Sequence, residues 1–201
     1  MTRELSPEKK ALYLNTALRL FVSQGVGNTS TAEIAREAGT AAGTLFLYFP
    51  AKQDLINELV LKISREQSQY IKSLLTPDFT ARQIFYNIWQ GSIDWFLQHP
   101  EAYAYIQQIR DSRFVSEAVI QATARDLAYY FEAIQKGFLE GCLKPYPAEL
   151  IGEILYQDIV AVMNHIKRLP ADAQKQQQAA QMGFNIFWDG ISNTTEKNNE
   201  I

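Results

Sequence analysis

Between Thr29 and Lys52 the chain reads TSTAEIAREAGTAAGTLFLYFPAK, and this stretch concentrates groups that recognise rather than react. Thr31, Thr40, Thr44 and Tyr48 supply hydroxyls, Gly43 supplies a backbone N–H with no side chain in front of it, and Lys52 supplies an ammonium. These are donors for phosphate oxygens and base edges. Nothing in the chain pairs a nucleophile with a base. His99 and His165 stand alone, no His, Cys or carboxylate set has metal-ligand spacing, and no glycine-rich phosphate loop occurs, so no catalytic residue, metal or cofactor is expected.

The spacing around these groups predicts two short helices. Ser30 and Glu33 form a capping box that starts a helix near Thr31, with Ile34, Ala35 and Ala38 on its apolar side and Gly39 letting the chain leave it. Thr40 is expected to cap a second helix over residues 41–48, in which Leu45 and Phe49 face inward while Ala42, Thr44, Leu47 and Tyr48 face out. Pro50 stops it. Lys52 then sits in the first turn of a long helix, where a positive charge opposes the helix dipole; a structural role does not explain it, and a neighbouring phosphate would. A compact helix pair with a protruding second helix is helix-turn-helix geometry, in which that helix meets the major groove.

The segment AGTAAGTLFLYFPAKQDL resembles the part of the TetR (tetracycline repressor) family that carries the recognition helix, the aromatic-aromatic-Pro step and the Lys opening the next helix. The likeness runs from about Lys9 to Leu61 and is architectural beyond that. It implies an all-helical homodimeric regulator of transcription, usually a repressor, released from a palindromic double-stranded DNA operator when a small molecule enters the larger C-terminal domain. Tyr48 and Lys52 match positions that contact the DNA backbone in the family. Thr31 and Thr44 would reach phosphates or base edges, and the Gly43 N–H would approach a phosphate. Thr40 and Ala41, opening the recognition helix, come close to bases, and Ala42 and Leu47 offer apolar contact, for instance to thymine methyls. The chain departs from the family where Phe46 replaces a frequent Tyr and where Ala42 and Leu47 stand in for polar or bulky residues, leaving only apolar contact there.

The 201 residues carry a formal charge of −3, with 47% hydrophobic and 20% charged residues. That is a globular composition, and it excludes a protein that coats nucleic acid through bulk charge. The first 60 residues are neutral as well: Arg3, Lys9, Lys10, Arg19, Arg36 and Lys52 offset Glu4, Glu8, Glu33, Glu37, Asp54 and Glu58. Binding by such a head relies on the placement of a few donors. Without a membrane-spanning run or a signal region, a cytoplasmic protein with no membrane partner is expected, and the single Cys142 reads as a buried small residue.

The remaining pattern predicts an all-α fold of about nine helices. Residues 1–8 read as a loose arm, and a support helix over 7–24 has Ala11, Leu14, Ala17, Leu18, Phe21 and Val22 as its apolar side. Further helices are expected over 52–75, 81–98, 100–111, 116–139, 148–169 and 172–189. The domains follow as a DNA-binding head over 1–50, a ligand-binding and dimerisation domain over 51–191 that begins with a linking helix at 51–75, and a disordered tail over 192–201. Helix 148–169 carries two apolar stripes, Ile151, Leu155, Val162 and Ile166 on one and Leu150, Ile154, Ala161 and His165 on another, and is expected to be buried on both. Helix 172–189 sets the small Ala179, Ala180 and Gly183 before a bulky end, and such a pair suits a two-fold interface. The many rings suggest a cavity for an apolar or aromatic effector lined by Trp89, Phe96, Tyr103, Tyr105, Tyr130 and Phe131. A second reading, a helical small-molecule-binding protein with a degenerate head, follows from the neutral charge and the missing polar side chains on the recognition helix.

Overall fold

A computed structural model describes residues 5–110 and 114–193, and every regular element in it is helical. The ten helices are α1 Pro7–Gln24, α2 Thr31–Glu37, α3 Ala42–Tyr48, α4 Lys52–Ser73, α5 Ala81–Gln98, α6 Pro100–Ile109, α7 Glu117–Asp126, α8 Ala128–Leu139, α9 Ala148–Ile166 and α10 Ala173–Ile191. The tenth arises because the helix expected over 116–139 breaks at Leu127 into α7 and α8, at a place where no proline or glycine marks the sequence. Most of the expected tail, 194–201, and residues 1–4 of the expected arm lie outside the described residues. The rest of that arm is ordered, since Ser6 caps α1 with its side chain accepting from the Lys9 N–H at 3.3 Å.

The helices gather into two compact units. Among the described residues, 5–66, 98–110 and 114–126 form the first, 67–97 and 127–193 the second, and the boundary in α4 falls between Glu66 and Gln67. In the first unit α1 packs on α2 and on α6, and α2 on α3. The buried side of α1 is Tyr13, Leu14, Thr16, Ala17, Leu20 and Phe21. It is rotated from the expected stripe, because Ala11 faces solvent and the ring of Tyr13 takes the core position.

The second unit is built on interlocked rings. Trp89 of α5 is fully buried, donates its indole N–H to the Ala180 carbonyl at 2.9 Å and stacks on Phe187 with centroids 6.0 Å apart. Phe85 meets Tyr130, Phe187 and Trp188 at 5.9–6.0 Å, and Arg82 lies over Phe184 and Trp188. Close approach of α10 to this cluster requires Gly183, where a Cβ would stand 2.4 Å from Val162 and 2.7 Å from the Trp89 ring. Helix starts follow local chemistry: Thr80 and Gln83 make a complete capping box, and Asp172 accepts from the N–H groups of Gln174 and Lys175. Cys142 is buried, as its size and polarity suggest.

A Gly183→Val substitution should destabilise the chain by about 1–3 kcal/mol through overpacking against a rigid indole. Thermal unfolding followed by circular dichroism would register this as a midpoint lowered by several degrees.

Candidate nucleic-acid interface

The turn between α2 and α3 is set by backbone geometry. Gly39 adopts φ of 68°, its N–H donates to the Arg36 carbonyl at 3.0 Å, and the Thr40 N–H donates to the Ala35 carbonyl at 2.9 Å. This is the paired closure of a Schellman end, and it needs a left-handed residue that glycine supplies without strain. Thr40 is therefore not the cap of α3. Its hydroxyl accepts from the buried Tyr13 hydroxyl at 2.9 Å and points back to the Ala35 carbonyl at 3.3 Å, while Ala41 occupies the cap position without a side-chain bond. The helix consequently starts at Ala42, one residue later than expected. The Ser30–Glu33 box is half made: the Ser30 hydroxyl accepts from the Glu33 N–H, but the Glu33 carboxylate accepts from Gln24 of α1 instead of returning to Ser30.

Leu45 and Phe49 are buried and fix the inward side of α3. The opposite side is open. Ala41, Ala42, Gly43, Phe46 and Leu47 are exposed, Thr44 and Tyr48 are half-buried, and so is Thr31 at the start of α2. Tyr48 is held at two points: its ring meets Tyr13 edge to face at 5.4 Å, and its hydroxyl oxygen accepts from the Ser6 N–H at 3.0 Å. Because that oxygen is the acceptor, the hydroxyl proton is left for another partner. Sequence reasoning missed Tyr13, which ties α1 both to the turn and to the end of α3. Its spacing with Ala17 and Leu20 was the available signal; the Ser6–Tyr48 bond, 42 residues apart in the chain, had none.

Lys52 has a structural partner after all. Its ammonium donates to the Val26 carbonyl in the α1–α2 turn and stands 5.9 Å from the centre of the Phe21 ring. Partial burial lowers its pKa from the ordinary lysine value. The dipole argument from sequence is corrected by this carbonyl, which takes one of three N–H donors and leaves two. Three other head cations face carboxylates: Lys10 meets Glu58 at 2.8 Å, Arg19 meets Glu37 at 3.8 Å, and Arg36 meets Glu33 and Glu37.

The six residues expected around an effector divide between the units. Tyr103 and Tyr105 belong to the first, Trp89, Phe96, Tyr130 and Phe131 to the second. Tyr105 is buried, stacks on Phe21 at 5.9 Å and donates to the Ile56 carbonyl at 3.1 Å. Tyr130 donates to the Ala148 carbonyl at 3.0 Å. Burial raises the pKa of both hydroxyls, with Glu149 adding to the effect at Tyr130, so each remains a protonated donor to backbone. Both hydroxyl protons are thus spent on main-chain carbonyls. Trp89 also spends its N–H on backbone, Phe96 packs edge to face on Trp95 at 5.7 Å, and Phe131 is exposed beside Tyr130.

Only one stripe of α9 is buried within the chain, that of Ile151, Leu155, Ile159, Met163 and Ile166. The second expected stripe, with Leu150, Ile154, Ala161 and His165, faces outward, and on α10 so do Met182 and Ile186. Among the described residues, α9 is buried along one of its two apolar stripes.

Comparison with known proteins agrees with this architecture. The sequence profile of "Bacterial regulatory proteins, tetR family" matches residues 14–59, from α1 through the first turns of α4. A solved structure from Shewanella sp. PV-4, described as that of a tetR family transcription regulator, superposes with a TM-score of 0.84 at 33% identity, covering 92% of this chain and 98% of that one. The HTH-type transcriptional regulator LuxR of Vibrio harveyi is 32% identical over 91 residues, 45% of this chain and 44% of LuxR, so the match spans less than half of that relative. The HTH-type transcriptional regulator YhgD of Bacillus subtilis (strain 168) is 21% identical over 161 residues, 79% of this chain and 84% of YhgD.

Replacing Thr40 by Val leaves the Tyr13 hydroxyl buried without its acceptor, which should cost about 1–3 kcal/mol of unfolding free energy. Urea denaturation would show this as a lower midpoint at unchanged slope, and adding Tyr13→Phe to the same chain should restore part of it.

Proposed function

Since the chain belongs to the tetR family of bacterial regulatory proteins, we propose that it is a ligand-responsive transcriptional repressor whose two heads, one from each protomer of a homodimer, insert α3 into successive major grooves of a palindromic operator. The observation that carries this reading is α3 itself: its inward side is held by Leu45 and Phe49, and its outward side is left open within the stretch that matches the family. Thr31, Thr44 and Tyr48 present hydroxyls on or beside that side, and the remaining donors of Lys52 lie at the start of the next helix. Together they would fix the register of the head on the phosphate backbone, while the exposed face of α3 meets bases. The head takes in residues 1–50, and residues 51–191 supply the sensor and the dimer contact. A cytoplasmic location fits a protein that works on DNA.

Dimerisation through α9 and α10 would give the outward stripes a partner. Met182 is 58% exposed and Ile186 72%, on the helix that packs on α9. Covering them with the same surface of a second copy removes apolar area from water and satisfies two-fold symmetry. Effector control, by an apolar or aromatic molecule, is the part of the proposal suggested by ring content. It requires the effector to favour the form with lower operator affinity, a coupling of about 1–3 kcal/mol in such systems.

Two measurements test these statements. Fluorescence anisotropy with duplexes from the DNA flanking the gene should give specific binding that weakens with salt. If Lys9 and Lys52 of each head supply the neutralising charge, raising salt from 50 to 200 mM should weaken binding roughly 100-fold. Absence of any binding across these duplexes would overturn the reading. Sedimentation of the full chain should show a dimer, and Ile186→Glu should yield folded monomers with operator affinity reduced at least tenfold; a monomeric parent chain would remove the dimer proposal.

A further inference from the structure

We propose that Leu47 reads the C5 methyl groups of thymine in the major groove, and that this apolar contact, flanked by Phe46, decides which duplex the head selects. The inference rests on the DNA-docking reading and adds the determinant of sequence choice.

It follows from the arrangement of side chains around α3. With Leu45 marking the inward direction and 3.6 residues per turn, Gly43 and Leu47 lie roughly 160° from it, one to each side of the outermost line. Thr44 and Tyr48 occupy one flank and Ala42 and Phe46 the other, so the helix has a hydroxyl flank, an apolar flank and a crest formed by Gly43 and Leu47. Leu47 is 67% exposed and Phe46 45%, whereas Leu45 is fully buried. A Cβ built at Gly43 would have nothing within 4 Å, so the residue one turn before Leu47 leaves its reach unobstructed.

A leucine on the crest can neither donate nor accept a hydrogen bond, and among base edges of the major groove only thymine offers an apolar group. The commonest specific contact, a guanidinium on guanine, has no source on α3, whose sequence AGTLFLY holds no arginine. Arg19 and Arg36 are the arginines of the described head, and both face Glu33 or Glu37. Leucine against methyl is then the contact by which this helix can tell one base pair from another at the centre of its face.

The experiment selects sites from a random duplex pool with the full-length chain, then resynthesises the best site with deoxyuridine replacing each thymine in turn. Uracil keeps the pairing and the O4 acceptor and lacks only the methyl. At the contacted steps, removal of one methyl should weaken binding about fourfold, the value expected from one buried methyl-sized group. Leu47→Ala should bind the thymine and uracil forms alike, with an unchanged melting midpoint because the side chain is exposed. Equal binding of both forms by the parent chain, discrimination that survives in Leu47→Ala, or selected half-sites without thymine would overturn the inference while leaving DNA docking intact. Failure of the chain to retain any duplex would instead refute the docking reading, and this inference with it.

Discussion

A seven-residue helix cannot hold itself together in water, because the entropy of fixing its first turn outweighs the few hydrogen bonds that follow. Everything in the first unit can be understood as supplying what α3 lacks. Leu45 and Phe49 anchor it from below, and the Schellman closure at Gly39 and Thr40 fixes the direction of the chain as it enters. The Tyr13 ring and hydroxyl then brace both ends from α1. Lys52 ties the start of α4 back to the α1–α2 turn, and Tyr105 carries the support outward by stacking on Phe21 and bonding to α4. Apart from Tyr48, on which Tyr13 packs, the outward residues Ala42, Gly43, Phe46 and Leu47 stay exposed.

The parts of this arrangement visible in the sequence are those in which one residue type has one physical use. Gly39 ends a helix, Pro50 forbids its continuation, Leu45 and Phe49 sit four apart, and Thr80 with Gln83 closes a box. What escaped are contacts whose second partner is a backbone carbonyl or a residue far along the chain. Lys52 looked like a charge without a structural use because the Val26 carbonyl has no letter of its own. Tyr13 was passed over because aliphatic residues alone give α1 a plausible stripe, and only the packed unit reveals that an aromatic ring with a hydroxyl serves better there. The break at Leu127 leaves no compositional trace.

The second unit illustrates a related ambiguity. A run of aromatics fits both a packed core and a binding cavity, since the same rings build either. Here the indole of Trp89 and the hydroxyl of Tyr130 donate to main-chain carbonyls, and Phe85, Phe184, Phe187 and Trp188 engage one another. Gly183 shows how tight this assembly is. The outward residues of α9 and α10 obey a different logic: among the described residues, Leu150, Ile154, Met182 and Ile186 form exposed apolar positions at helical spacing, the kind of surface on which the proposed dimer contact rests.

The pairing of Arg19, Arg36 and Lys10 with carboxylates bears on how such a head would find its target. A basic head is drawn to any stretch of duplex and slides along it, trading time on wrong sites for a shortened search. A head in which three cations already face carboxylates, leaving Lys9 and Lys52 as its charge for phosphates, casts a weaker field, so encounters gain less from electrostatic steering. Little of the protein would then be sequestered on the bulk chromosome, and the occupancy of its site would follow the number of copies in the cell.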